Sequence, residues 1–171
     1  MRAARAPGLG GVLLLALAGT QGPSYLLSPD EWSAGKYGRQ FIDGRDFGLT
    51  IRRTLLPGET LFVWGQASGL YVHSGARPAT GFFFLTPMLW SPHTEYYTAR
   101  ALADLRTAPP EMVVEDLRDV PPHPKHPVHM WIREAFVPLP DGALGQTRYR
   151  VWCRRGGPLA ARLGAAGSSS R

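Results

Sequence analysis

The sequence has a single cysteine and almost no lysine. Because Cys153 is the one cysteine among 171 residues, no disulfide can form within the chain and no cysteine-based zinc site is available. Cys153 lies in the alternating run RYRVWCRR, which indicates a small strand residue and not a nucleophile. Lys36 and Lys125 are the lysines, so arginine carries most of the net charge of +6. This charge is compatible with nucleic acid, an anionic lipid surface or a phosphate-bearing substrate, and does not choose among them.

The sequence also lacks a full-length membrane span. The apolar run from Gly8 to Gly19 has 12 residues, against about 20 for a spanning helix. Arg2 and Arg5 precede it, and Ala16-Leu17-Ala18 is a candidate cleavage site. Residues 1–22 are therefore interpreted as a signal peptide, a short anchor or the end of a longer span, with a buried helix of a cytosolic protein as the alternative. The first three place the rest of the chain on the extracytoplasmic side if the positive end stays inside.

The pattern of the remaining chain predicts an α/β domain over residues 23–155. Buried strands are expected at 59–65, 81–86, 111–115 and 147–154, and helices at 29–42, 45–55, 94–106 and 128–136. A short turn or helical piece is expected at 68–73. Because strands alternate with helices, we predict a small, mostly parallel sheet of about four strands with helices on both faces, preceded by a short apolar N-terminal helix. The arginine-rich last strand is expected at an exposed edge, and residues 156–171 are expected to form a disordered tail.

Three histidines form the candidate metal site of this sequence. His123, His126 and His129 lie in HPKHPVH, each three residues from the next, and histidines at such spacing can meet at one zinc ion. Pro124 and Pro127 break any helix that would place them on one face. A structural role is therefore favoured over a zinc site.

The sequence contains no glycine-rich phosphate loop in front of a helix, so its acids are examined next. Glu115 and Asp116 follow the third predicted strand, and open α/β sheets bind ligands at that end. Solvated loop acids are the favoured interpretation. The aromatic residues lie within predicted strands, so no nucleic-acid stacking platform is expected.

The stretch LYVHSGARPATGFFFL places His73 and Ser74 beside Arg77. A base next to its nucleophile in sequence cannot turn its ring productively onto the hydroxyl, and the G-x-S-x-G pattern of hydrolases is missing. Gly75 can adopt positive φ, and Pro78 fixes the chain before the next element. The stretch is therefore interpreted as a turn between two core elements.

The order of the motifs resembles a known family. Tyr37-Gly38 and an amphipathic helix precede PGETLFVWG, LYVHSGARPATGFFF and ADLRTAPPEMVVED. Over about residues 14–154 this order resembles the C-terminal extracytoplasmic part of bacterial polytopic family 39-like glycosyltransferases, which are related to dolichyl-phosphate-mannose mannosyltransferases. Ala76 stands where the family commonly has an arginine.

The resemblance implies a non-catalytic domain, or a fragment, of a membrane glycosyltransferase that uses polyprenyl-phosphate sugar donors. The acidic catalytic residue of such enzymes lies in their first extracytoplasmic loop, which has no matching position here. The resemblance implies a location at the cell membrane on the extracytoplasmic side, no cofactor and no nucleic acid, and an unspecified partner protein. The domain would cover the membrane-embedded site or help to hold the acceptor or the lipid-linked donor, and the substrate-binding residues nearest to that task would be Trp64, Tyr71, His73 and Arg77. For Arg77, a structural role in holding the turn is favoured over contact with a phosphate at the membrane surface.

Two alternative functions stay open. A stand-alone secreted or membrane-anchored binding module would carry a leader cleaved near Ala18. A small metal-dependent hydrolase would use His123, His126 and His129 with an acid.

Overall fold

The computed structural model describes residues 9–118, 124–145 and 148–164. The chain divides into two compact units, residues 1–43 and residues 44–171. The predicted metal ligand His123 lies outside the described residues.

The first unit contains two helices and the start of a third. Helix α1 spans Leu9–Tyr25 and helix α2 spans Pro29–Tyr37. Ser28 caps α2 in a reciprocal capping box with Glu31. The predicted single helix over residues 29–42 is wrong, because α2 ends at Gly38 with φ of 78°, a conformation that favours glycine.

Helix α1 presents apolar side chains without burying any of them. Its leucines and Val12 are exposed, and no residue of this helix is buried. The expected apolar N-terminal helix is therefore present. In the part of the chain that the structure describes, no helix is both long and apolar enough to cross a membrane.

The third helix continues into the second unit, which holds the sheet. The helices from here on are α3 Gln40–Thr54, α4 Gly69–Ser74, α5 Thr86–Trp90, α6 Thr94–Thr107, α7 Pro127–Ala135 and α8 Pro158–Arg162. The strands are β1 Thr60–Trp64, β2 Arg77–Pro78, β3 Met112–Asp116, β4 Phe136–Pro138 and β5 Tyr149–Arg154.

The five strands form one mixed sheet in the order β2-β1-β3-β5-β4. Strand β1 is parallel to β2 and β3, whereas β5 is antiparallel to β3 and β4. The α/β class is confirmed, but the prediction of a mostly parallel sheet of four strands is wrong. The arginine-rich β5 lies inside the sheet and not at its edge, because its apolar residues are buried while its alternate positions carry the arginines.

The predicted strand at residues 81–86 is also wrong. The chain leaves the sheet after Pro78, and the Thr80 hydroxyl accepts a hydrogen bond from the Phe82 backbone N–H over 3.0 Å. This bond closes a turn of a type that threonine favours. Helix α5 then begins at Thr86, with Pro87 in its first turn.

Alternate residues of the strands supply two separate cores. Leu61 and Val63 face a cluster that includes residues of α3, α4 and α8, whereas Phe62 and Trp64 face a cluster that includes residues of α5, α6 and α7. Helices therefore lie on both faces of the sheet, as predicted. Leu159 of α8 is fully buried, so the expected disordered tail does not hold for residues 156–164.

Two adjacent strands approach closely at the carboxyl end of the sheet. Gly65 follows β1, and a Cβ atom at this position would lie 2.5 Å from the Cβ atom of Asp116. Such a separation is far below van der Waals contact, so either Gly65 or the end of β3 would have to move. The close approach requires glycine here.

We predict that Gly65→Ala lowers the free energy of unfolding by about 1–3 kcal/mol, as overpacked cores do. Gly81→Ala is the matched control, because a Cβ there meets no atom within 4 Å. The control should change stability by less than about 1 kcal/mol. Chemical denaturation measures both, and equal effects of the two variants would contradict the steric argument.

Candidate functional site

Two of the four predicted substrate-binding residues belong to the core. Trp64 is 1 % exposed and Tyr71 is 8 % exposed. The Tyr71 hydroxyl accepts the backbone N–H of Val63 over 2.8 Å. Strand β2 has two residues and pairs with β1 no further than Leu61, so the tyrosine satisfies a backbone donor beyond the end of β2. Neither side chain is open to a ligand in this arrangement.

The other two predicted residues lie around the turn between α4 and β2. His73 is half-buried and lies close against Gly48 of α3, where an added Cβ atom would be 2.5 Å from the Cβ atom of His73. Arg77 is exposed. The structure therefore separates the four residues into two core positions, one helix–helix contact and one surface cation.

The turn itself is held by its own small residues. Gly75 ends α4 with φ of 67°, and its N–H donates to the Tyr71 carbonyl over 2.9 Å. The Ser74 hydroxyl accepts the Ala76 N–H over 3.1 Å, which commits the hydroxyl to the turn. These contacts agree with the interpretation of this stretch as a turn and give Ser74 a structural role.

Arg77 lines a groove at the amino end of the parallel strands. The groove has a volume of about 730 Å³ and is bounded by the end of α3, the turn before β1 and the turn before β2. Its lining includes a second arginine, Arg52. Arg52 lies 25 positions before Arg77 in the sequence, and the sequence pattern gave no signal that the two residues would line one groove.

The acids at the other end of the sheet are not solvated loop residues, contrary to the favoured interpretation. Glu115 and Asp116 are the last residues of β3, and both are buried. A buried carboxylate needs hydrogen bonds or an opposite charge to remain stable. Each of the two acids has its own set of partners.

Glu115 accepts hydrogen bonds from a ring on each side. Its Oε1 lies 3.2 Å from Nε2 of His129, and its Oε2 accepts from Nε1 of Trp152 over 3.3 Å. Arg150, its cross-strand neighbour, adds a charge 3.7 Å from Oε2. Because the carboxylate accepts, Nε2 of His129 is the donor, and the ring is oriented by this bond.

Asp116 forms a two-point ion pair with Arg148. The Nη2 and Nε atoms of Arg148 lie 2.8 Å and 3.2 Å from the two carboxylate oxygens of Asp116. Both side chains are buried, and the Asp116 carboxylate also accepts the Arg118 backbone N–H over 3.2 Å. Such paired geometry is the strongest common form of ion pair.

The candidate metal ligands have other bonding partners. Nδ1 of His126 accepts the Val128 N–H over 3.3 Å and thereby caps α7. Nε2 of the same ring lies 3.4 Å from both the Thr98 hydroxyl and the Met88 carbonyl. Within residues 9–118, 124–145 and 148–164, no group of three histidine, cysteine or acidic residues could hold a metal ion. The zinc hypothesis stays a prediction that depends on His123.

The thiol of Cys153 is chemically protected. The residue is fully buried, and burial, reinforced by the nearby Glu111 charge, raises its pKa to about 11. A thiol in this state is a poor nucleophile at neutral pH. The expected role of Cys153 as a small core residue of a strand agrees with its position in β5.

Comparison of the chain with protein-family models, with curated proteins and with solved structures finds no match.

We predict that Arg148→Met lowers the free energy of unfolding by about 3–5 kcal/mol, because Asp116 would stay buried without its partner. Arg150→Met is the matched control on the same strand. It is half-exposed and its acid keeps two other donors, so we expect a loss below about 1 kcal/mol. Adding Asp116→Leu to Arg148→Met should restore part of the stability. An equal loss for both single variants would contradict the buried-pair argument.

We predict an alkaline loss of stability from Cys153. The unfolded thiol loses its proton near pH 9 and the folded thiol near pH 11, so the unfolded state binds fewer protons between these values. The free energy of unfolding therefore falls through this range by up to about 1.4 kcal/mol per pH unit.

Denaturation curves from about pH 8 upward measure this loss, and Cys153→Ala should flatten the fall below about pH 10. Burial also raises the pKa of Tyr71, whose unfolded value is 10.0, so its contribution begins at higher pH. Tyr71→Phe should therefore leave the first part of the fall intact. An unchanged slope in Cys153→Ala would contradict the assignment.

Proposed function

We propose that this chain is a non-catalytic extracytoplasmic domain of a membrane glycosyltransferase that uses polyprenyl-phosphate sugar donors. In this proposal, α1 contacts lipid or neighbouring membrane helices, and the α/β unit covers the membrane-embedded catalytic site or helps to hold the donor. The domain has no transferase activity by itself.

The exposed apolar surface of α1 is the observation that carries the proposal. Leu9, Leu14 and Leu15 are 80 %, 69 % and 68 % exposed. Leaving such side chains in water costs about 25 cal/mol for each Å² of apolar surface. Lipid chains would cover them without needing a complementary protein surface. A helix of this length measures about 25 Å, which is shorter than a bilayer core of about 30 Å.

An aromatic surface on the α/β unit adds support. We use the name aromatic surface for the exposed side chains of Phe83, Phe84, Trp90 and Tyr96, which belong to one segment of the chain. Their segment follows the carboxyl end of the parallel strands, where Nε2 of Gln66 donates to the Thr86 hydroxyl over 3.2 Å. Tryptophan and tyrosine are enriched at membrane–water interfaces, where an apolar ring and a polar atom are both accommodated.

The pairing of the buried acids favours a supporting role over catalysis. Glu111 is paired with Arg154, Glu115 with His129 and Asp116 with Arg148. These carboxylates are engaged in holding β3 to its neighbours. A general acid or base needs a partner that substrate can displace, whereas Glu115 and Asp116 are buried together with the side chains that bind them.

The order of motifs gives the proposal its enzyme class. PGETLFVWG ends in the buried strand β1, and SGARPA forms the turn into β2. These motifs stand in the same order in the glycosyltransferase domains that the sequence resembles. This resemblance is the reason to place the domain beside a polyprenyl-phosphate sugar site.

We predict that the full chain floats with phosphatidylcholine vesicles containing phosphatidylglycerol, and that Leu14→Lys lowers the bound fraction at least tenfold. A central charge in an apolar helix costs about 2.5–3.5 kcal/mol in lipid. Val72→Lys is the matched control, because Val72 is an equally exposed apolar residue of the α/β unit. Equal loss in both variants would contradict lipid contact through α1.

The transferase assignment is tested in the source cells with an antibody raised against residues 59–154. A large band in the membrane fraction supports a domain of a polytopic enzyme. A small soluble band overturns that assignment in favour of a stand-alone binding module. Sugar transfer by the purified chain from a polyprenyl-phosphate donor contradicts the non-catalytic role.

A further inference from the structure

The groove beside Arg77 has the size of a ligand site. Its volume of about 730 Å³ lies within the range of about 300–1,000 Å³ that is typical of small-molecule sites. Leu55, Leu56 and Pro57 line it together with Gly58 and Gly75, which have φ of 90° and 67°. A Cβ at either glycine would meet no atom within 4 Å, so the groove is open at both turns.

Two arginines give this groove its charge. Arg52 at the end of α3 and Arg77 at the start of β2 both line it and are exposed. Neither has an ion-pair partner among the residues that the structure describes. Two unpaired guanidinium groups facing one groove repel each other in the absence of an anion.

The acid in the lining is already neutralised. Glu59 accepts hydrogen bonds from both Nη atoms of Arg162, over 2.8 Å and 2.7 Å. A third bond comes from the Leu56 N–H over 2.8 Å. The bond with Arg162 holds the pKa of Glu59 below its ordinary value, so the carboxylate stays ionised and engaged. Because Arg162 balances its charge, Glu59 does not neutralise Arg52 or Arg77.

One local effect opposes an anion here. Carbonyl groups at the end of α3 carry partial negative charge, as in every helix. Arg162 donates a hydrogen bond to the Thr54 carbonyl over 3.3 Å and so offsets part of that charge. Two whole positive charges then outweigh the remaining partial charge, and the groove favours an anion.

We propose that Arg52 and Arg77 bind a phosphoryl group in this groove. A guanidinium fork matches phosphate oxygens in a two-point geometry, and two forks suit a dianion or a diphosphate. The wall of Leu55, Leu56 and Pro57 suits an apolar or ring-shaped part of the same ligand. The inference stands on the groove and does not depend on the proposed glycosyltransferase role.

The test titrates the full chain with inorganic pyrophosphate in a calorimeter at fixed ionic strength. We expect saturable binding that Arg77→Gln and Arg52→Gln each weaken at least tenfold, a change of about 1.4 kcal/mol. Arg53→Gln is the matched control, because Arg53 is an exposed neighbour of Arg52 outside the groove lining. The control should change affinity less than about twofold.

Two results would overturn the proposal: no saturable binding, or an equal loss in Arg53→Gln, which would indicate general attraction to a basic chain. Thermal unfolding of each variant checks the fold, and these exposed arginines should leave it unchanged. A loss of affinity that accompanies a lower unfolding temperature counts against the proposal unless Arg77→Lys, which keeps the charge, restores both.

A competition experiment separates two sources of the phosphoryl group. Bound pyrophosphate is challenged with a soluble sugar phosphate and with phosphatidylcholine vesicles that carry a polyprenyl phosphate. Displacement by the sugar phosphate assigns a soluble ligand, and displacement by the vesicles assigns a lipid-linked one. Displacement by neither overturns the proposal. Arg77→Gln should still float with vesicles, because α1 is unchanged in this variant. Failure of the phosphoryl-binding proposal is therefore distinguishable from failure of the proposed membrane function.

Discussion

The burial of β3 is the constraint on which the α/β unit depends. This strand is central in the sheet, and all five of its residues are buried, including Glu115 and Asp116. Two carboxylates in a core are tolerated when each has a partner with good geometry. Asp116 therefore binds Arg148, and Glu115 binds His129 and Trp152. These bonds connect β3 to β5 and to α7.

The same constraint limits the chemistry of the site. Open α/β sheets bind ligands at the carboxyl end of their parallel strands. Here the two acids at that end are already bonded to buried side chains of the protein. Gly65 lets β1 approach Asp116 closely and leaves no space beside it. Chemistry that involves an outside molecule is therefore expected at the surface, where the exposed aromatic residues and Arg52 and Arg77 lie.

The two surface features lie at opposite ends of the parallel strands. The segment that carries the aromatic surface is bonded through Thr86 to Gln66, just after β1, whereas the groove of Arg52 and Arg77 lies before β1 and β2. A strand of five residues is about 17 Å long, so one ligand group cannot contact both.

Sequence reasoning was most accurate where the signal was local. It predicted the helices that became α4, α6 and α7 and the strands β1 and β3, because apolar spacing, proline and glycine act on neighbouring residues. It failed for residues 81–86, where three phenylalanines resemble a strand but a threonine turn leads the chain out of the sheet. It also failed for β5, whose arginines resemble an edge strand although the adjacent positions are buried.

The candidate site shows the same division. The sequence by itself determined which chemical groups are present and where some local elements form. It has one cysteine, a net charge carried mostly by arginine, a leucine-rich first helix, and a turn at Gly75, where glycine favours positive φ. Tertiary structure alone decided that Trp64 and Tyr71 are core residues, that Glu115 and Asp116 are paired, and that Arg52 and Arg77 line one groove. Those outcomes depend on strand order and on contacts between residues far apart in the chain, which local spacing cannot specify.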